Sequence, residues 1–415
     1  MGLGLLAEGK WVSEREQEDS QGKFVRPSTT FRNKITADGS SGFKAESGRY
    51  HLYISWACPW AQRTAIMRQL KRLDDAISLS VVAPEIDKNG WEFSDVAGSI
   101  PDTGNNTRYL WEIYLKAEPD YSGRVSVPVL WDKQTATIVN NESREIIRML
   151  DTQFDAIALK DADFYPEDLR GVVDETIDAI YQPINNGVYR AGFATTQSAY
   201  EDAVTELFDA LDHWEGVLEQ QRYICGDRIT EADWCMFTTL LRFDAVYYVH
   251  FKCNLRRIVD YPNLWNYLKE LYQQPGVKET CNLDHIKRHY YKSHPKVNPT
   301  RIVPTGPMIN FDAPYDRYRM SKKGVGSGES GVGGAFHSLP PTPDSLLLLD
   351  LTANLLQSSN KVWVRNGSCF STVDCSSACG IEGSDRQTHR NPMIRITIHI
   401  GASQRSAAGN LQPVG

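Results

Sequence analysis

The sequence predicts an α/β domain followed by an all-α domain. The prediction rests on a change of hydrophobic period along the chain. Between residue 49 and about 155, runs of period two alternate with helical runs; between about 164 and 290 only the helical period is left. At 415 residues and 41% hydrophobic content, the chain has the material for two cores.

Residues 1–48 are polar and irregular, with GKFVRPSTTFRNKI as their one distinctive stretch, and are expected to wrap the domain that follows. In a strand at 49–56, Tyr50, Leu52, Ile54 and Trp56 alternate with smaller or polar neighbours, as when one face is buried. In a helix at 59–72, Ile66, Leu70 and Leu73 recur at helical spacing, and a strand at 78–83 completes a βαβ start. After a long loop come VSVPVLWD, TATIVN and a helix opening near ESREIIRML, which closes the domain at about 155. In the helical domain, 164–320, AYEDAVTELFDALDHWEGVL and DWCMFTTLLRFDAVYYV are the clearest helices. In ITEADW, Thr230 and Asp233 have the spacing of a capping box. Residues 321–415 hold 26 Gly plus Ser among 95 positions with little periodicity beyond Leu346–Leu349, and read as a disordered or adventitious tail.

Charge and cysteine usage narrow the function. The net charge is −7, and residues 1–320 alone, with 37 Lys or Arg against 46 acids, carry −9. Neither a nucleic acid nor an acidic membrane surface is favoured as partner. No run approaches the roughly 18 apolar residues of a membrane span. The start, MGLGLLAEGK, shows neither a signal peptide nor a myristoylation site, so the expected compartment is the cytoplasm. Eight cysteines show no CxxC pair and no dense framework, as where thiols stay reduced. Cys369, Cys375 and Cys379 of the tail lack zinc-ligand spacing, and no metal is expected. The NGS at 366–368 fits a glycosylation acceptor that stays idle without a secretory signal.

The first candidate for chemistry is Cys58, in YISWACPWAQR. Pro59 suits a first helical turn, which puts Cys58 at or just before a helix N-terminus. The partial positive charge there stabilises a thiolate, whereas most isolated cysteines are only small buried hydrophobes. The fourth position of the motif is Ala61, so a mixed disulfide on Cys58 has no internal partner to resolve it. An external thiol must release it, and in a cytosol that thiol is glutathione. Two further features are compatible. If the Val127–Pro128 bond is cis, the Val127 backbone faces a cleft and can pair with an extended peptide, although only about one X–Pro bond in twenty is cis. Glu142 and Ser143 open a helix, a place that holds a carboxylate or simply caps the helix.

Together, SWACPWAQR, GRVSVPVLWD, IVNNESREIIRML, INNGVYRAGFA, ITEADW, LRFDAVYYVHFKCNLRRI, YPNLW and NLDHIKRHYYKSHPKVNPTRIVPTGP resemble the glutathionyl-hydroquinone reductases, the Xi-class glutathione transferases. The resemblance runs from about Gly22 to about Met320 and leaves the tail unmatched. It implies an α/β thioredoxin-like N-terminal domain and an all-α glutathione-transferase C-terminal domain, assembled as a homodimer. It also implies that Cys58 is the nucleophile, and that glutathione is held by Trp91, Arg124, the Val127 backbone, Glu142 and Ser143. Tyr189 and Tyr290 are implied to face the cysteine across the electrophile pocket, with Tyr291 beside the second of them as its competitor. Read without the resemblance, Trp91 and the tyrosines are core aromatics and Arg124 a surface ion pair.

The activity implied is reduction of glutathionyl-hydroquinones, with glutathione as cosubstrate. Two alternatives stay open at this point. An Omega-like thiol transferase or dehydroascorbate reductase would use the same cysteine and need no tyrosine pair. A glutathione-transferase-like binding module without turnover would need neither.

Overall fold

The computed structural model describes residues 4–13, 19–160 and 162–320, together with the backbone of 361–366 and 369–374. Two units are distinguished, Met1–Gly326 and Ser327–Gly415.

The first unit begins with β1 (Leu5–Ala7) and β2 (Lys10–Val12) and continues through β3 (Tyr50–Ile54), α1 (Pro59–Leu70), β4 (Ile77–Val81), α2 (Leu110–Ala117), β5 (Gly123–Arg124), β6 (Val129–Asp132), β7 (Thr137–Asn140) and α3 (Ser143–Thr152). The main sheet has the order β4-β3-β6-β7. Its β3 and β4 are parallel, joined by α1, while β6 runs antiparallel to both β3 and β7. This is the α/β domain that the periods indicated, with four differences of detail.

All five residues of β3 are buried, not one face alone. The strand lies between two others, and a polar side chain is kept inside it by local bonds: His51 meets Ser78 Oγ at 2.7 Å and Ser80 Oγ at 2.9 Å. Alternation in its sequence therefore reflects small and large neighbours rather than solvent. The expected long loop contains α2, whose eight residues bury only Leu110, Ile113 and Tyr114, too few for a clear helical period. The irregular N-terminus contains a hairpin, and β1 adds β5 as a third strand; three-residue strands carry no readable period. It does wrap the domain, since Arg32 bridges Asn140 at the sheet edge. Finally, pairing in VSVPVLWD starts only after Pro128, which cannot donate to the ladder.

The helical domain comprises α4 (Arg170–Ile180), α5 (Gly187–Gly192), α6 (Gln197–Gln220), α7 (Glu231–Arg242), α8 (Tyr248–His250), α9 (Pro262–Tyr272) and α10 (Leu283–Ser293). Two π turns interrupt it, Tyr181–Asn185 after α4 and Phe243–Tyr247 after α7. Every residue of α7 is buried, and the capping box forms: Asp233 Oδ2 accepts from the Thr230 N–H at 2.7 Å. Desolvation pushes the Asp233 carboxyl up to about 6. The domains share one core through α1 and α7. Arg63 of α1, only 2% exposed, donates to Asn185 Oδ1 at 2.9 Å and to the Cys235 carbonyl at 3.2 Å. After α10 the chain runs back over the helices, where Arg317 donates to the Leu218 and Arg222 carbonyls at 2.8 and 2.7 Å.

Asp132 ties the sheet together. Its buried carboxylate takes two hydrogen bonds from Arg49, at 2.9 and 2.7 Å, and one from the Thr135 hydroxyl at 2.7 Å. Burial alone would raise its pKa, but the Arg49 and Thr135 bonds win and hold it below the ordinary aspartate range. A depressed native pKa gives stability that is present above the unfolded value, about 3.9, and lost as pH falls through the native one. Asp132→Asn should therefore destabilise the protein by about 3 kcal/mol near neutral pH. Thermal melts of variant and wild type should converge as the pH drops below about 4.

Among the described residues, no helix is long and apolar enough to cross a membrane. The tail expected to lack regular structure lies outside the described residues, except for one antiparallel hairpin, β8 (Lys361–Asn366) with β9 (Cys369–Asp374). A hairpin was not expected there. The tail cysteines and the NGS site are otherwise not part of what the structure describes.

Candidate active site

A cleft of about 260 Å³ between the two domains gathers all eight residues implied by the sequence: Cys58, Trp91, Arg124, Val127, Glu142, Ser143, Tyr189 and Tyr290. They come from separate elements, so only the tertiary fold unites them.

Cys58 is the N-cap of α1, in extended conformation, with Pro59 at the first helical position. Its side chain makes no capping bond, so the thiol is left for the cleft. The Gln62 N–H reaches the Cys58 carbonyl at 2.9 Å, starting the helix directly under the sulfur. Sγ lies 3.6 Å from the Val127 carbonyl, and the Val127–Pro128 bond is cis. Val127 and Pro128 both line the cleft.

Glu142 is the N-cap of α3, so the capping reading holds alongside any ligand role. Its carboxylate accepts from the Arg144 N–H at 3.3 Å and from the Thr29 hydroxyl at 3.2 Å. Ser143 is the first residue of that helix, its hydroxyl 3.5 Å from Glu142 Oε1. Trp91 is 5% exposed and stacks on His289 at 4.9 Å. Arg124 closes β5 at the same cleft.

Across from the cysteine stand the tyrosines. Tyr189 of α5 and Tyr290 of α10 bring their hydroxyls to 2.5 Å. Burial, and then the neighbouring Cys58, push the Tyr189 phenol upward, and burial pushes Tyr290 well above its usual value. Both keep their protons at neutral pH. Tyr291 donates to the Ala245 carbonyl at 3.2 Å and is not among the residues lining the cleft, whereas Tyr290 is.

Several residues at the site carry little local signal in the sequence. Arg26, from the N-terminal extension, lies 4.9 Å over Trp60 and 4.7 Å over Tyr189. Arg242, fully buried, donates to the Trp56 and Ala57 carbonyls at 2.9 Å each and so holds the loop that delivers Cys58. It also donates to Gln62 Oε1 at 2.6 Å and the Thr238 carbonyl at 2.7 Å. A charged residue inside the apolar run DWCMFTTLLRFDAVYYV was the available clue. His289, His250 and His294 line the back of the tyrosines, and burial pushes their pKa values down, to about 4 for His289 and about 3 for His250. They are neutral. The His289 Nδ1, 2.9 Å from the Pro84 carbonyl, must donate there, so its Nε2 is an acceptor. Among the described residues, no group of His, Cys, Asp and Glu could hold a metal ion.

Comparison with known proteins gives the family. The family model for the glutathione S-transferase N-terminal domain matches residues 57–153, and that for the C-terminal domain matches 197–270. Glutathionyl-hydroquinone reductase YqjG of Escherichia coli is 50% identical over 323 residues, covering 76% of this chain and 98% of that protein. A Xi-class glutathione transferase structure from Natrialba magadii superposes with a TM-score of 0.73 at 52% identity, over 77% of this chain and 98% of that one. The glutathione-bound structure of YqjG superposes with a TM-score of 0.70 at 49% identity, over 75% and 99%. On this evidence the chain belongs to the glutathionyl-hydroquinone reductases, the Xi class of the glutathione transferases.

Proposed function

We propose that this enzyme removes glutathione from glutathionyl-hydroquinones through a mixed disulfide on Cys58. The observation that carries the reading is one cleft holding a helix-start thiol opposite a hydrogen-bonded phenol pair. Glutathione, as cosubstrate, would lie along the Val127 backbone. Arg124 would meet one of its carboxylates, and its γ-glutamyl end would lie at the α3 N-terminus, the ammonium on Glu142 and the carboxylate on Ser143, with Trp91 packed over it.

The Cys58 thiolate attacks the glutathione sulfur of the substrate. A Cys58–glutathione disulfide forms, the carbon–sulfur bond breaks, and its electron pair stays on the ring carbon, which takes a proton to give hydroquinone. A second glutathione, losing its thiol proton, attacks the disulfide and leaves as oxidised glutathione, restoring the Cys58 thiolate. That released proton balances the one given to the ring. Tyr189 and Tyr290 bind the ring hydroxyls, and one of them is the acid. The proposal assigns the reaction no metal.

Assay of the purified protein with glutathionyl-menadiol beside dehydroascorbate tests the reading. Faster turnover of the first supports it; a strong preference for the second replaces it with an Omega-like reductase. We further infer a homodimer acting in the cytoplasm, for which sedimentation and fractionation are the checks. Truncation after Met320 should leave activity and melting temperature nearly unchanged, because the match to YqjG covers 98% of that protein with 76% of this chain. A truncated protein that fails to fold would show the tail to be structural.

A further inference from the structure

We propose that Tyr247, which does not reach the cleft, is a positioning residue that orders the hydroxyl protons of the tyrosine cluster so that Tyr189 presents its own proton to the substrate ring. The inference rests on the reading of the site just given.

Three hydroxyls from three elements meet here. Tyr290 Oη stands 2.5 Å from Tyr189 Oη and 3.1 Å from Tyr247 Oη. Tyr247 is the last residue of the π turn after α7, the kind of irregularity that recurs at functional sites. It is fully buried and is not among the residues lining the cleft, whereas Tyr189 and Tyr290 are. Rings surround it: Phe251 stacks on it at 5.5 Å, and the rings of Tyr290 and Phe243 meet it edge-on at 5.5 and 6.3 Å.

Each phenol carries one proton, and that fixes a direction. The Tyr247 hydroxyl has its partners only within the cluster, so its proton must point there. Tyr247 also interacts with Tyr189 directly, and both inner hydroxyls favour the phenolate of Tyr189 whereas Tyr189 opposes theirs, which makes Tyr189 the acceptor of the cluster. Tyr290 therefore accepts from Tyr247 and donates to Tyr189. The remaining proton, on Tyr189, faces the cleft. When it moves to the ring carbon, the phenolate left on Tyr189 already receives the Tyr290 O–H, itself polarised by Tyr247. The proton shed by the second glutathione reloads Tyr189.

The charged and titratable groups around the cluster fit a phenolate that forms transiently. Arg26 covers the Tyr189 ring, and the Arg242 charge acts on Tyr247 and Tyr290. Cys58 opposes ionisation of Tyr189 while it is a thiolate, an opposition that ends as its sulfur becomes a disulfide. His289, His250 and His294, with rings 5.1, 6.3 and 5.6 Å from that of Tyr290, are neutral and add no charge.

Tyr247→Phe keeps the ring and removes the hydroxyl. With glutathionyl-menadiol, kcat should fall on the order of tenfold at little change in KM, less than the ~10²-fold of a donor that touches the reacting charge. Turnover of a small mixed disulfide should fall far less. With one donor fewer in the chain, the Tyr189 phenolate is less stable, so the alkaline limb of the kcat profile should move to higher pH. The Tyr189 resonance in ¹³Cζ-tyrosine NMR, assigned with Tyr189→Phe, should begin to titrate at higher pH in the Tyr247 variant. An unmoved limb and an unmoved Tyr189 titration overturn the proposal, as does an equal loss on both substrates, which would mark packing alone. The NMR arm needs no turnover, so it decides the role of Tyr247 even where glutathionyl-menadiol proves not to be a substrate.

Discussion

Cys58→Ala is expected to lower glutathionyl-hydroquinone turnover by about 10³-fold or more, the scale on which losing a covalent nucleophile acts. The other cysteines among the described residues are poor nucleophiles. Cys225, Cys235 and Cys253 are buried, and burial pushes their thiols up; Cys281, beside Gln62 and Thr280, is pushed up to about 12. They keep their protons and react slowly. Cys58 is partly exposed at the cleft, at the start of a twelve-residue helix whose first N–H groups and dipole favour an anion. Treatment of wild type with oxidised glutathione should therefore place one adduct on Cys58, located by peptide mass spectrometry. The alanine variant should take none there. An active alanine variant, or an adduct that forms mainly on Cys281, would refute the assignment.

What could be read in the sequence followed the range of the interactions responsible. The start of α1 and the place of Cys58 are local: Pro59 and the spacing of Ile66 and Leu70 are enough to set them. The capping box of Thr230 and Asp233 is local too. The hairpin of β1 and β2 was not legible, because its stability comes from β5, more than a hundred residues away. Nor was the cis Val127–Pro128 bond, since the trans form is the commoner for any isolated X–Pro pair. The partnership of Tyr189 and Tyr290 spans 101 residues and was available only through family resemblance. Arg242 and Tyr247 lie within a run that reads as one apolar helix; the charge of Arg242 hints at buried partners, but only the fold places both residues behind the cleft.

Tyr189→Phe and Tyr290→Phe are each expected to depress glutathionyl-hydroquinone turnover by about 10²-fold, the usual worth of a positioned acid, while a small mixed disulfide is affected far less. Both substrates need the Cys58 thiolate and the same glutathione contacts. They differ in what leaves. A disulfide expels a thiolate that needs no proton, whereas a hydroquinone leaves only when its ring carbon is protonated and its hydroxyls are bound. The two phenols stand at that cleft with hydroxyls 2.5 Å apart and protons retained at neutral pH by burial. Tyr290 lies between Tyr189 and Tyr247, so its replacement breaks the chain of donors and leaves the Tyr189 hydroxyl in place; Tyr189 is also 8% exposed against 1% for Tyr290. The Tyr189 variant should accordingly lose more in kcat than the Tyr290 variant. Proportional losses on both substrates would reduce the tyrosines to walls of the pocket. A larger loss in the Tyr290 variant would make Tyr290 the proton donor and reverse the order of the chain.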